Sequence, residues 1–457
     1  MNVAARIEPA QSSASIKRLI DHSWYLRAAS PSKKNNFARQ SQKFTAALLV
    51  AVRWLRGEQY AMATTWNGPN SAAMNSGKPS GASIPWYLWC AVLAVTSVSI
   101  GAHWDVSWHR SIGRDTFWTP AHMAIYACGV LAAISCGYLV LNTTFRKSSA
   151  ISSSSVSIFG FRAPLGAFIA SWGGIAMLTS APFDNWWHAA YGLDVKIISP
   201  PHTLLMLGVF AVSVGAMILL IGAMNRAAIA GYTQTAQHLQ WMLLYIGGLM
   251  VVFQMFFRME YTWDVYLHQA QAYEAMALGM PTMFAIFWQA SRNRWSSTVT
   301  TSIYTVFVIG AVLILPLFPA EPKLGPVFQT VTHFIPPKFP ILLIVPAILI
   351  DLFWSKTQSW KPWLMALVTG PIFVLSLVAV EWPFSSFLMT KAADNRFFGT
   401  TYFACAEPST SYDVLRKFVD PDAGLALVSG LGLAMVFASL SAWLGIKLGR
   451  WMRGIQR

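Results

Sequence analysis

From about residue 86 to the C-terminus, apolar stretches of membrane-spanning length alternate with short polar breaks. Read by hydropathy, the stretches are roughly 86–104, 120–142, 163–182, 200–222, 239–257, 279–291, 302–319, 339–355, 362–381 and 424–446, about ten in all. The sixth is short as drawn. The pattern predicts an all-α fold: a polytopic transmembrane helical bundle of about ten spans.

The first 84 residues follow another pattern. Their one apolar run, near 44–52, is too short to span a bilayer. Eleven basic residues, among them Arg6, Lys17, Arg18, Lys33, Lys34 and Arg53, stand against only Glu8, Asp21 and Glu58. This segment is expected to be a basic cytoplasmic tail, a basic segment lying on anionic lipid, or the product of an over-long reading frame whose true start is Met62 or Met74.

The charge places the spans in the membrane. The chain carries a net +15. Arg146, Lys147, Arg162, Arg226, Arg292, Arg294, Lys356 and Lys361 fall in one set of connections, and Lys447, Arg450, Arg453 and Arg457 at the C-terminus. By the positive-inside rule these connections and both termini are cytoplasmic. The basic excess therefore follows topology, and no nucleic-acid partner is expected. The expected location is the inner membrane of a bacterium, multi-pass, in contact with membrane lipid. Cys90, Cys128 and Cys136 lie inside spans and Cys405 in an external loop, with no CxxC motif and no disulfide framework.

The external connections hold the chemistry. Asp105, Trp108, His109, Gly113, Asp115, Pro120 and His122 recur about eighty residues later as Asp184, Trp187, His188, Gly192, Asp194, Pro200 and His202. The spacings are D-x3-H-x12-H and D-x3-H-x13-H. Residues four apart on a helix share a face, so Asp105 with His109, and Asp184 with His188, can converge on one ion. Proline suits the first helical turn and sets His122 and His202 at matching depths. An imidazole pair with a carboxylate suits copper, iron or zinc. Interfacial Trp residues are ordinary membrane-belt residues, but two registered copies are hard to ascribe to interface chemistry alone. Duplication of a helical hairpin explains them.

A weaker third copy carries Asp264 and His268, with Glu274 as the later acid and Met283 where a His would stand. Arg258 and Glu260 beside it are expected to pair. His333 is alone and predicts no site. The chain thus divides into the basic segment 1–84, a repeated-hairpin metal-site bundle 85–291, and an accessory transmembrane bundle 292–457 with an external loop at 382–423.

The stretch from Asp105 to His122, with Arg114-Asp115-Thr116 and Thr119-Pro120-Ala121-His122 inside it, resembles the metal-binding segment of the C subunit of copper membrane monooxygenases, the methane and ammonia monooxygenase family. Asp105, His109 and His122 fall on that family's copper-ligand positions. The second copy is similar to the same subunit's N-x3-H-x13-H site, with His188 and His202 matching and Asp184 in place of Asn. The resemblance covers about 86–222. The third copy and the spans beyond it have no counterpart there, nor does the chain contain the soluble copper domains of the family's other subunits.

The resemblance implies a membrane-bound copper-dependent monooxygenase, or a subunit of one, that hydroxylates a small or lipophilic substrate with dioxygen at periplasm-facing sites, in complex with other monooxygenase-type subunits or as an oligomer. Asp115 and Asp194 are then expected to act as outer carboxylates or proton relays, and Arg114 to neutralise carboxylates or hold Asp115. A metal-binding assembly subunit and a metal-ion transporter remain alternatives, the latter with sites expected nearer mid-membrane.

Overall fold

The computed structural model describes residues 82–146, 151, 154–192, 199–258, 266–323, 327, 331–337, 341–388, 390–393, 395, 397–398 and 420–456. The basic N-terminal segment, Asp194, Glu260, Asp264 and most of the loop at 382–423 lie outside these residues. In chain order the helices are α1 (Trp86–Ser111), α2 (Pro120–Phe145), α3 (Leu165–Tyr191), α4 (Pro200–Ile229), α5 (Thr233–Arg258), α6 (Ala270–Ala277), α7 (Met280–Ser291), α8 (Ser296–Ile314), α9 (Ile344–Lys356), α10 (Pro362–Leu388) and α11 (Gly424–Arg453). A two-stranded antiparallel hairpin, β1 (Val156–Ile158) with β2 (Phe161–Ala163), joins α2 to α3.

Among the described residues, eight helices are long and apolar enough to cross a membrane: α1 to α5, α8 with its final 3-10 turn, α10 and α11. The expected span at 339–355 is shorter as a helix than the sequence pattern implies, and the one at 279–291 is as short as drawn. Helix α7 has 12 residues and α9 has 13, about 18 and 20 Å of rise against a hydrocarbon core of about 30 Å. Gly279, at φ 132, separates α6 from α7. Arg258 satisfies the carbonyls freed there, donating to Ala275 O at 2.6 Å and to Leu278 O.

Two apolar cores organise the helices. One is built from α1 to α5 with edges of α7 and α11. The other joins α5 and α6 to α11 around Tyr273, Phe284, Trp354 and Phe373. Helices α6 and α7 thus pack mainly with the later elements and not with the α1–α2 and α3–α4 hairpins. Within the first core, small residues let α3 and α4 approach closely. A Cβ on Gly173 would stand 2.7 Å from both Gly208 O and Val212 N. Lipid gives no hydrophobic drive for helices to associate, so this close van der Waals contact is what holds the hairpin shut.

Chain direction alternates through the spans. The α1–α2 and α3–α4 connections therefore lie at one end of the molecule, together with the segment after α8, whose Lys323 N donates to Ile112 O at 2.8 Å. At the other end, Asn225 and Arg226 of α4 hold the C-terminal carbonyls of Ile455 and Gln456 at 2.7 and 2.6 Å.

Candidate metal centres

Each hairpin closes one group of Asp and His side chains. At the end of α1, Gly113 takes φ 82, and at the end of α3 the equivalent Gly192 takes φ 87. Glycine adopts this backbone without strain, so the chain turns sharply out of each helix and returns toward the next. Pro120 starts α2, and Pro200 and Pro201 start α4. Thr119 Oγ1 accepts from Thr116 N–H at 2.8 Å, fastening the loop that carries Asp115 to the start of α2.

In the first group, His122 Nε2 lies 3.1 Å from Asp105 Oδ1 and 3.2 Å from Asp115 Oδ2, and His109 Nε2 lies 3.8 Å from Asp105 Oδ2 and 3.5 Å from Asp115 Oδ2. In the second, Asp184 stands 3.4 Å from His188 Nε2 and 3.5 Å from His202 Nε2. Within each group the potential ligand atoms lie within 4.8 Å of one another. A tetrahedral ion with bonds of about 2.1 Å sets its ligand atoms about 3.4 Å apart, which both groups approach as they stand.

The imidazoles are oriented for this. His122 Nδ1 lies 3.0 Å from Thr116 O, and His188 Nδ1 lies 3.1 Å from Gly192 O. A ring nitrogen facing a carbonyl must carry the proton and donate it, so Nε2 is the nitrogen turned toward the carboxylates, donating to them when the ring is protonated and free to offer its lone pair to an ion once that proton is lost. Burial works against ionisation of Asp115, yet the hydrogen bond from His122 and the charges of His109 and His122 hold its carboxyl below the usual carboxylate range.

The geometry revises the roles expected of some residues. Asp115 converges with the ligand atoms of the first group instead of standing behind them. Arg114 is exposed, contributes its backbone carbonyl to Trp108 Nε1 at 3.0 Å, and forms no ion pair with Asp105 or Asp115 among the described residues. His268 joins neither group. It is buried against α10, where Nε2 lies 3.0 Å from Ser386 Oγ and 3.2 Å from Trp382 O, and burial pushes its imidazole below the ordinary range. Met283 is packed in the first core.

Three buried acidic or imidazole side chains escaped sequence reasoning: His103, Glu381 and Asp351 of α9, which accepts from Thr298 N–H at 2.8 Å. His103 lies within α1, its Nδ1 3.1 Å from Ser99 O and its ring edge-on to Phe307. Glu381 lies fully buried in α10 and accepts from Leu342 N–H. A polar residue at the i−4 position, Ser99, was the available signal for His103. Glu381 stands at the edge of the expected span 362–381, where nothing in the sequence marks it as buried.

Beside the second group, a cavity of about 330 Å³ opens between α4 and α5, lined by Met206, Phe210, Met250, Phe253, Gln254 and Phe257. Its wall also includes Thr203, the neighbour of His202, and Leu207 and Phe210 are exposed on the outer face of α4.

No known family model, curated protein or solved structure matches the chain.

Proposed function

We propose that this chain is a multi-pass membrane metalloprotein that binds metal at its two Asp/His groups on the periplasmic side of the inner membrane. In this reading it works as a copper-dependent monooxygenase, or a subunit of one, on a small or lipophilic substrate. The observation that carries the reading is the doubled convergence of carboxylate and imidazole, with Nδ1 of His122 and of His188 engaged by a backbone carbonyl so that Nε2 faces inward. Asp105, His109, Asp115 and His122 would hold one ion, and Asp184, His188 and His202 another. A copper ion so held supplies one-electron chemistry toward dioxygen, while iron and zinc suit the same donors. The apolar cavity beside His202 supports a lipophilic substrate. The distribution of Lys and Arg supports the periplasmic placement of the groups.

Both groups sit at helix ends, which argues against a transporter, whose sites are expected near mid-membrane. The second group's ligands are 26–30 % exposed, and this favours, as a second reading, an assembly subunit that passes metal on. Metal analysis of detergent-purified protein tests the proposal. Two equivalents are expected, with one lost in His109→Ala and the other in His188→Ala. Absence of bound metal would overturn it, and bound metal with no oxygen uptake under any reductant and apolar substrate would transfer the case to the assembly reading.

A further inference from the structure

The two groups are copies, but their supports are not. Asp105 and His109 occupy one face of the last two turns of α1. On the other face Ser107, Arg110 and Ser111 are buried, and all three grip the segment that follows α8. Ser107 Oγ donates to Ile335 O at 2.7 Å, Ile335 N donates to Ser111 Oγ at 2.7 Å, and Arg110 Nη1 donates to Pro336 O at 2.6 Å. Phe334 packs on Trp108, ring centroids 5.7 Å apart, in a small apolar cluster with Ile112 and Ala320. Pro336 and Pro337 fix φ and carry no N–H, so this stretch is stiff and offers carbonyls, which the α1 side chains take. The second copy has Trp186, Ala189 and Ala190 at the positions of Ser107, Arg110 and Ser111, and all three are exposed.

We propose that residues 331–337 form a positioning strap that immobilises the ligand turn of α1, making the Asp105/His109/Asp115/His122 group the slowly exchanging metal site and leaving the Asp184/His188/His202 group exchangeable. The inference rests on the reading that both groups bind metal. Ligands fixed by buried hydrogen bonds cannot swing away one at a time, which is how a chelator extracts an ion. Among the described residues the end of α3 shows no buried side-chain grip like that of Ser107, Arg110 and Ser111, and a helix end held less firmly releases sooner.

The test loads the full chain in detergent with copper(II), adds excess EDTA and follows metal release. Release is expected in two phases about tenfold or more apart. The slow phase should vanish in His109→Ala and the fast one in His188→Ala. Ser107→Ala with Ser111→Ala, and separately Arg110→Met, should speed the slow phase about tenfold without touching the fast one, and Arg110→Lys, which keeps one donor, should restore part of the difference. General loosening of the fold would instead speed both phases, and that outcome overturns the proposal. So does a slow phase assigned to the second group, or a slow phase indifferent to the Ser107, Ser111 and Arg110 variants. A wild-type chain that binds no copper, iron or zinc defeats the metal reading itself, a result distinct from these.

Discussion

Replacing Asp115 by Asn separates a ligand from a relay. Asp115 Oδ2 stands between the two imidazoles, 3.2 Å from His122 Nε2 and 3.5 Å from His109 Nε2, while Asp105 reaches the same nitrogens with separate oxygens at 3.1 and 3.8 Å. Asn preserves the shape and keeps a carbonyl oxygen in reach, so the change removes charge and little else. Interactions with a charged partner contribute about 1.5–3 kcal/mol and neutral ones about 0.5–1.5. The difference, about 1–2 kcal/mol, corresponds to roughly a 5- to 30-fold weaker Kd. The assay is competition with a metal-sensitive chelator dye, run in a His188→Ala background so that only the first group reports. A Kd within about twofold of the parent, combined with lost turnover, would refute the ligand assignment and restore the proton-relay role.

Gly173→Ala should destabilise the α3–α4 hairpin by about 1–3 kcal/mol, because the added methyl meets backbone atoms that cannot yield, whereas Gly137→Ala, with nothing within 4 Å of its Cβ, should be neutral. Thermal unfolding in detergent checks both, and equal midpoints would refute the close-packing argument. His268 is held below the usual imidazole range by burial, so the unfolded chain protonates first as pH falls. The stability this contributes is complete above the ordinary imidazole pKa and is lost progressively below it. His268→Gln should therefore flatten the fall of the melting temperature between about pH 7 and pH 5, and an unchanged slope would show that His268 does not titrate with unfolding.

The helices that the sequence revealed most clearly are those whose whole length is apolar. Helix α4, from Pro200 to Ile229, is visible from hydropathy and its opening prolines alone. The short α7 and α9 misled the same rule for a definite reason. Hydropathy sums composition and is blind to the backbone, so Gly279 and the non-helical residues 341–343 before α9 read as parts of spans. The Asp/His groupings were legible because helix periodicity and proline placement act locally, within about twenty residues. The strap was not, since Ser107 and Ile335 meet across 228 residues and nothing local marks a serine as a tether. Arg114 misled for the opposite reason: it stands next to Asp115 in sequence, but the turn at Gly113 leaves it exposed.

Each hairpin also carries all of its group's described ligands, which gives the molecule an order of assembly. Synthesis proceeds from the N-terminus, so Asp105 to His122 are complete and inserted while the segment around Ile335 is still about two hundred residues from being made. At about 5–20 residues per second, that interval lasts roughly 10–40 s. During it the end of the first hairpin that carries Asp105 and His122 lacks its contacts with Ile335 and Pro336. Once Ile335 and Pro336 dock, the same turn is locked. On the proposal that the first group binds metal and the strap fixes it, the later half of the chain would act as a clasp that closes last, and the ion acquired in those opening seconds would be the one the finished protein keeps.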